Sequence, residues 1–299
     1  MNSCRYDRPR TTEQAVEFLV AAEGEAHLIA GGVALGILMN ENLIEPSWLI
    51  DISRLEGLKR VERREDGGLR IGALASHRHV ERSQDVLTTA PLLIEMYHEV
   101  ACQRIKNRGT IGGNICLGDP QADPPVALIA LNAIFIALGP NGRREIPARK
   151  FFEDLYTTAL LENEILTEIL VPATPTNSGT TYAKFGARKA MDYSSTISVA
   201  VQLVCGPEDG VIVEAGLGLG GVDVKPVWPE TTAKLLCGSK PSPEFFDQLR
   251  EVLKADIAPL GDHLYSAEYK LHVVGTMLKR AVQVAYERAI QAGNSGHEC

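Results

Sequence analysis

Two turns with paired glycines constrain the fold of this 299-residue chain more than any other feature. The first, Gly31-Gly32, lies between a predicted buried strand at 27–30 and a short predicted helix. The second, Gly112-Gly113, follows the basic stretch at 104–109. Paired glycines permit positive φ angles and close approach of the backbone to a ligand. Both pairs therefore mark places where the backbone adopts an unusual conformation or approaches a ligand closely.

Such turns also suit anions. Successive free backbone N–H groups form a concave anion site, and a helix that starts just after Gly32 adds a favourable dipole. Two turns of this kind that face one another would hold the two phosphates of a dinucleotide. Each pair taken alone is equally compatible with a simple tight turn, so the interpretation depends on the residues around them.

Composition excludes several classes of function. The net charge is −8 and no dense block of Lys and Arg is present, which disfavours binding to nucleic acid or anionic membranes. The N-terminus has no apolar secretory segment, and the longest apolar stretch, at 126–138, is too short to span a bilayer. We therefore expect a cytoplasmic protein.

The cysteines are dispersed along the chain. None forms a Cys-x-x-Cys pair, so neither a disulfide framework nor a self-contained iron–sulfur or zinc site is expected. They are Cys4, Cys102, Cys116, Cys205, Cys237 and Cys299.

The order of predicted elements indicates an α+β fold with two domains. A βαβ-like unit at about 1–56 begins with a helix capped by Thr11, and a second lobe covers about 57–175. Residues 173–179 are turn formers without a core residue, which places a boundary near 175. An antiparallel sheet backed by helices is expected at 176–292, followed by a tail at 293–299. The predicted strands there are 196–205 and 211–219, and the predicted helices are 230–237, 243–256 and 266–292.

One motif invites a wrong interpretation. Residues 216–221 match G-x-G-x-x-G, the dinucleotide fingerprint. That fingerprint must follow a strand and open a helix, whereas the residues after Gly221 include Pro226 and Pro229 and do not begin a regular helix. We interpret these glycines as thinning a strand where another element packs closely, and we reject NAD binding at this place.

Several charged and aromatic residues are further candidates. Asp119 and Asp123 precede a predicted helix at Pro124, where Asp123 suits either a helix cap or a ligand to a flavin. Lys184 opens a charged cluster with Arg188, Lys189 and Asp192, and a cation there suits an anionic ring. Tyr193 is placed to stack on such a ring. By contrast, His77 and His79 are interpreted as surface residues, because no third metal ligand lies at a useful spacing.

Taken together, these motifs resemble the FAD-binding, medium-subunit family of the molybdenum hydroxylases, which includes xanthine dehydrogenases and carbon monoxide dehydrogenases. The most specific blocks are Arg-Ile-Lys-Asn-Arg-Gly-Thr-Ile-Gly-Gly-Asn at 104–114 and Gly-Asp-Pro-Gln-Ala-Asp-Pro-Pro at 118–125. Supporting blocks lie at 30–32, 164–166, 184–192 and 266–270. The resemblance covers nearly the whole chain.

The resemblance implies a two-lobed FAD-binding domain followed by a small α+β domain with an antiparallel sheet and helices. It places the cofactor-binding residues at Leu28, Ile29, Ala30, Gly31, Gly32, Val33, Ala34, Leu35, Thr110, Gly112, Gly113, Asn114, Asp123, Leu166 and Lys184. Asp119 and Tyr193 are added as candidates from their own chemistry, and the sequence leaves open whether they contact the flavin. Many relatives carry a polar residue directly after the first glycine pair, whereas Val33 and Ala34 supply no such side chain. The first turn would therefore depend on its backbone N–H groups.

The implied function is electron transfer within a complex. A large partner subunit would carry molybdopterin, a small one would carry two [2Fe–2S] clusters, and electrons would leave through FAD to an external acceptor. The assembly would be a heterotrimer or a dimer of heterotrimers. The sequence leaves the organic substrate open, and also whether the acceptor is NAD, oxygen, a quinone or a cytochrome. Two other functions stay open at this point, a stand-alone FAD oxidoreductase and an assembly subunit without flavin.

Overall fold

The computed structural model describes residues 4–186, 196–207 and 209–295. The N-terminal lobe is a three-stranded parallel sheet in the order β1-β3-β2, with helices between its strands. Its elements are β1 (Arg5–Asp7), α1 (Thr12–Ala22), β2 (Ala26–Ile29), α2 (Val33–Asn40) and β3 (Trp48–Asp51).

The predicted start of the first helix is confirmed. The Thr11 hydroxyl accepts a hydrogen bond from the Gln14 amide at 3.1 Å, and the Gln14 side chain accepts one from the Arg10 amide at 2.7 Å. This reciprocal capping satisfies N–H groups that the first turn leaves unpaired. The helix then buries Ala15, Val16 and Leu19 against the sheet.

The second lobe has a five-stranded antiparallel sheet in the order β4-β5-β10-β6-β7, covered by short helices. The fully buried Phe135 and Phe151 pack edge to face in its core, with ring centroids 4.8 Å apart. Its elements are β4 (Val61–Arg63), β5 (Leu69–Gly72), α3 (His77–Arg82), α4 (Gln84–Thr89), α5 (Pro91–Glu99), α6 (Gln103–Arg108), α7 (Ile111–Leu117), α8 (Asp123–Ala130), β6 (Ile134–Gly139), β7 (Gly142–Pro147), β8 (Phe152–Asp154), β9 (Thr157–Thr158) and β10 (Ile165–Val171).

The C-terminal part is a three-stranded antiparallel sheet in the order β11-β12-β13, with three helices. The mixture of helices with antiparallel sheets confirms the predicted α+β class. The elements are β11 (Ser178–Phe185), β12 (Ile197–Cys205), β13 (Ile212–Gly220), α9 (Glu230–Leu236), α10 (Pro243–Asp256) and α11 (Ala267–Ser295). The strand β11 was not predicted, and it begins inside the stretch that the sequence assigned to a linker.

The G-x-G-x-x-G motif is a strand, as expected. It forms the end of β13, and a Cβ atom added at Gly216 or Gly218 would overlap the carbonyl oxygens of Ala130 or Val126 in α8. The glycines therefore let the sheet approach a helix backbone, which confirms the interpretation as a thinned strand. This contact joins the C-terminal sheet to the second lobe.

Among the described residues there are three hydrophobic clusters, one in each lobe and one in the C-terminal part. The cluster of the N-terminal lobe also takes in Leu74 and Ile165 from the second lobe, so the two lobes share apolar contacts. The boundary near residue 175 stays a proposal, which the separate C-terminal cluster supports.

Candidate functional site

A cavity of about 350 Å³ lies between the N-terminal lobe and the second lobe, and both glycine pairs line it. The turn before α2 forms one wall, and the first turn of α7 forms part of the opposite one. Most of the predicted binding residues are brought together here. They are Leu28, Ile29, Ala30, Gly31, Gly32, Val33, Ala34, Leu35, Thr110, Gly112, Gly113, Asn114 and Leu166.

The first glycine pair is required by two different constraints. The backbone of Gly32 has the left-handed conformation, with a φ of 70°, and this residue forms the N-cap of α2. Gly31 lies so close to the second lobe that an added Cβ atom would overlap the carbonyl oxygen of Arg108. A side chain at Gly31 would thus separate the two walls, and one at Gly32 would strain the turn.

The N-terminus of α2 offers unpaired donors to the cavity. The backbone N–H groups of Gly32, Val33, Ala34 and Leu35 have no acceptor within the described residues, and no side chain caps the helix. All four residues line the cavity. A left-handed residue followed by free N–H groups at a helix start is an anion-binding arrangement. The backbone thus provides hydrogen-bond donors, which the apolar side chains of Val33 and Ala34 lack.

The second glycine pair is helix rather than open loop, which corrects the sequence interpretation. The amides of Ile111 and Gly112 donate to the carbonyls of Ala75 and Ala73, at 3.0 and 2.9 Å. The amide of Gly113 donates to the Thr110 hydroxyl at 3.1 Å. The amides of both glycines are therefore already paired within the protein, and the Thr110 hydroxyl that pairs Gly113 also caps the helix α7.

The second wall contributes a polar side chain instead. The Oδ1 atom of Asn114 is buried and has no hydrogen-bond partner in the part of the chain that the structure describes. Asn114 lines the cavity one turn along α7. An unpaired buried amide oxygen is costly, so this atom is available to accept from a ligand with a donor group such as a hydroxyl.

His77 corrects a second expectation, because it is buried and not a surface residue. Only 3% of it is exposed, and it lines the cavity beside Gly109. Its Nδ1 atom lies 3.3 Å from the hydroxyl of the fully buried Tyr97. The Lys106 ammonium lies in the same network and pairs with Glu81 at 2.8 Å. The spacing of His77 after the capping Ser76 gave no sign of this burial.

The buried His77 is expected to make the fold sensitive to mild acid. Burial, and then repulsion from the Lys106 ammonium, lower the pKa of His77 from 6.5 to about 4. Between these values the unfolded chain binds a proton that the folded chain does not, so stability falls as the pH drops through this window. The shift corresponds to about 3 kcal/mol in the free energy of unfolding.

Urea unfolding of the wild type and of His77→Gln, at about pH 7 and about pH 4.5, measures this effect. The loss of stability between the two conditions should be clearly smaller in the variant. The hydrogen bond from Lys270 lowers the pKa of Asp262 to about 2, so that group loses its contribution only at more acidic pH. Equal losses in both proteins would contradict the assignment.

Two predicted binding residues lie outside the cavity, in a buried ion pair. The Asp123 carboxylate accepts hydrogen bonds from the Tyr182 hydroxyl at 2.5 Å and from the Lys184 ammonium at 2.8 Å. Asp123 does not cap α8, since Ala122 is the N-cap residue. Lys184 belongs to the strand β11. The pair joins the second lobe to the C-terminal sheet, and direct contact of either residue with a flavin stays a prediction.

Of the remaining candidate residues, Asp119 lies within the part of the chain that the structure describes and the other four do not. Asp119 is 8% exposed and lies outside the cavity, and its carboxylate accepts a hydrogen bond from the Gln121 amide at 2.8 Å. Burial raises the pKa of Asp119, although this hydrogen bond acts in the opposite direction. Tyr193, Arg188, Lys189 and Asp192 lie outside the described residues.

Within residues 4–186, 196–207 and 209–295, no group of three or more His, Cys, Asp or Glu side chains could hold a metal ion. No helix there is both long enough and apolar enough to cross a membrane.

The chain matches two family models. Residues 2–174 match the FAD binding domain in molybdopterin dehydrogenase, and residues 181–285 match the CO dehydrogenase flavoprotein C-terminal domain. The first match covers more than half of the chain and includes both glycine pairs. FAD, predicted from the sequence, is the cofactor for which this domain family is described.

Known proteins are similar over nearly the full length. The chain is 33% identical to the carbon monoxide dehydrogenase medium chain of Afipia carboxidovorans, over 95% of this chain and 97% of that one. It is 31% identical to the nicotine 6-hydroxylase medium subunit of Paenarthrobacter nicotinovorans, over 95% and 98%. A carbon monoxide dehydrogenase structure from Hydrogenophaga pseudoflava superposes with a TM-score of 0.91 at 33% identity, covering 95% of this chain and 98% of that one. The chain therefore belongs to the FAD-binding, medium-subunit family of the molybdenum-containing dehydrogenases, whose members are subunits of oxidoreductases.

Proposed function

We propose that this chain is the FAD-holding electron-transfer subunit of a molybdenum hydroxylase complex. In this complex a small partner subunit with [2Fe–2S] clusters would deliver electrons, and an external acceptor would remove them. The observation that carries the proposal is the single cavity that both glycine pairs line. A cytoplasmic location, predicted from the sequence, is part of the same proposal.

The residues present fit a flavin dinucleotide. The unpaired amides from Gly32 to Leu35 suit a phosphate bridge, which carries negative charge and accepts hydrogen bonds. The unpaired Oδ1 atom of Asn114 suits a hydroxyl of the sugar or of the ribityl chain. Apolar side chains, among them Leu28 and Leu166, supply the dry surface that a ring system needs.

When bound, FAD supplies the capacity to take up and release electrons. The task of the protein is to bind and orient it. The α2 terminus holds the negative charge without a cationic side chain, since its donors are backbone groups fixed by the fold. This explains why a turn with Val33 and Ala34 does not argue against flavin.

The names of the relatives support the proposal that this chain works with partner subunits. Two of them are named as medium chains or medium subunits of dehydrogenases and hydroxylases, which implies larger and smaller companions. We propose by analogy a large molybdopterin subunit and a small [2Fe–2S] subunit, in a heterotrimer or a dimer of heterotrimers. Substrate oxidation would then take place on a partner and not on this chain.

Flavin content tests the proposal. The full chain, or the complex that contains it, should show flavin absorbance after purification and should release equimolar FAD on denaturation. Chromatography of the released material separates FAD from FMN, which has only one phosphate. A colourless, folded complex would contradict the proposal. Flavin that is reduced by an organic substrate in the isolated chain would favour a stand-alone oxidoreductase instead.

A further inference from the structure

We propose that His77 is a further cofactor-binding residue, whose imidazole donates a hydrogen bond from Nε2 to the phosphate bridge of the dinucleotide. This inference rests on the proposed function, because it assumes that FAD occupies the cavity. It adds a side-chain donor to a site whose other phosphate donors are backbone amides.

The position of His77 is fixed by the segment that carries the second glycine pair. The His77 amide donates to the Gly109 carbonyl and the Ile111 amide donates to the Ala75 carbonyl, both at 3.0 Å, and these two bonds form the isolated bridge between Ser76 and Thr110. These backbone bonds hold the start of α3 against this segment, and burial together with the contact to Tyr97 holds the ring beside the cavity. The ring is therefore part of the wall.

The hydrogen bond to Tyr97 sets the tautomer. Tyr97 is fully buried, and burial raises the pKa of its hydroxyl, so the hydroxyl stays protonated. Its O–H needs an acceptor, and among the described residues the structure provides the Nδ1 atom of His77 at 3.3 Å. With Nδ1 as the acceptor, the proton of the neutral ring is on Nε2.

The Nε2 edge lies where the two walls meet. A Cβ atom added at Gly109 would be 2.9 Å from Cδ2 and 3.2 Å from Nε2 of His77. The neighbouring Arg108 carbonyl is the group that approaches Gly31. The N–H donor is thus next to the turn whose free amides face the cavity.

No protein group within the described residues accepts from Nε2. The Nε2 atom is not among the fully buried unpaired side-chain atoms of the described residues, so it is accessible from the cavity that His77 lines. The Lys106 ammonium, paired with Glu81 at 2.8 Å, belongs to the same network and disfavours the charged imidazolium. The ring therefore meets the anion as a neutral donor near neutral pH.

Titration of the FAD-free full chain with FAD tests the inference. Flavin fluorescence at about pH 7 gives the dissociation constant for the wild type, His77→Leu, His77→Gln and His79→Leu. Loss of one hydrogen bond to a charged group weakens binding by about tenfold or more, so we expect this for His77→Leu. Glutamine retains an N–H donor and should stay close to the wild type, and His79→Leu, on the same helix but outside the cavity, should match it.

Proton uptake provides a second readout, which a purely structural role would not move. A phosphate beside the ring favours its protonated form, so FAD binding at about pH 5 should take up protons in the wild type. Calorimetry in two buffers with different ionisation enthalpies measures this uptake. It should be smaller in His77→Gln, which is close in size and retains a polar group.

Wild-type affinity in His77→Leu, or unchanged proton uptake in His77→Gln, would overturn the inference. Failure of the wild type itself to bind FAD would instead overturn the proposed function. The two failures are therefore distinct.

Discussion

Replacing Gly31 with alanine is expected to weaken FAD binding by about 100-fold or more. The added Cβ atom overlaps the Arg108 carbonyl oxygen, which is backbone and cannot rotate away. The turn must then move off the second lobe, and the amides of Val33 and Ala34 move with it. Loss of two hydrogen bonds to a charged group, each worth about 1.5–3 kcal/mol, corresponds to at least this factor.

Gly36→Ala is the matched control. Gly36 lies in the same helix, and nothing lies within 4 Å of an added Cβ atom there. Alanine is a better helix former than glycine by up to about 1 kcal/mol, so this variant should fold and bind FAD like the wild type. Fluorescence titration gives the affinities, and circular dichroism verifies the fold. Equal affinity of a folded Gly31→Ala would show that the approach of the two walls does not matter for the cofactor.

Replacing Asp123 with alanine is expected to lower the free energy of unfolding by about 3–5 kcal/mol, as is typical when one partner of a buried ion pair is removed. Asp123 is 1% exposed, and the Lys184 side chain is also buried. The Lys184 ammonium would retain the Glu99 carbonyl at 3.2 Å but would lose the Asp123 carboxylate. Urea unfolding monitored by circular dichroism measures the change.

Two comparisons make this result specific. Asp123→Ala combined with Lys184→Met removes both charges and should recover part of the stability, because apolar replacement of a buried pair is tolerated far better than its disruption. Glu251→Ala removes an exposed partner of Lys254 and should cost less than about 1 kcal/mol. A loss for Asp123→Ala as small as that for Glu251→Ala would contradict the structural role of the pair.

Local signals predicted the fold well where they fixed a helix or a strand by themselves. The helix α10 spans Pro243–Asp256, as predicted, and the structure shows that Ser242 caps it, so the cap and the proline fix its start within one turn. The glycine motif in β13 was correctly predicted to be a strand, because Pro226 and Pro229 prevent a regular helix from beginning after it. The strand β11 was missed because its first residues, Ser178 and Gly179, are turn formers and its pairing with β12 is tertiary.

In the candidate site, too, contacts that depend on tertiary packing were not predicted. The two glycine pairs were predicted to face one ligand, and they do line one cavity. That Thr110 caps a helix and thereby uses the amide of Gly113 depends on backbone conformation, which the glycines alone leave open. The pairing of Asp123 with Lys184 spans a separation of 61 residues, so no local pattern could reveal it. The burial of His77 likewise results from packing against the distant Tyr97 and Gly109.

The central claim is that the start of α2 holds the phosphate bridge of FAD against the second lobe. A structure of the full chain with bound FAD tests it most directly. We expect phosphate oxygens at hydrogen-bond distance, about 3 Å, from the amides of Val33 and Ala34, with Asn114 on the opposite wall in contact with the same ligand. FAD bound elsewhere, with these amides and the Asn114 oxygen still unpaired, would contradict the account.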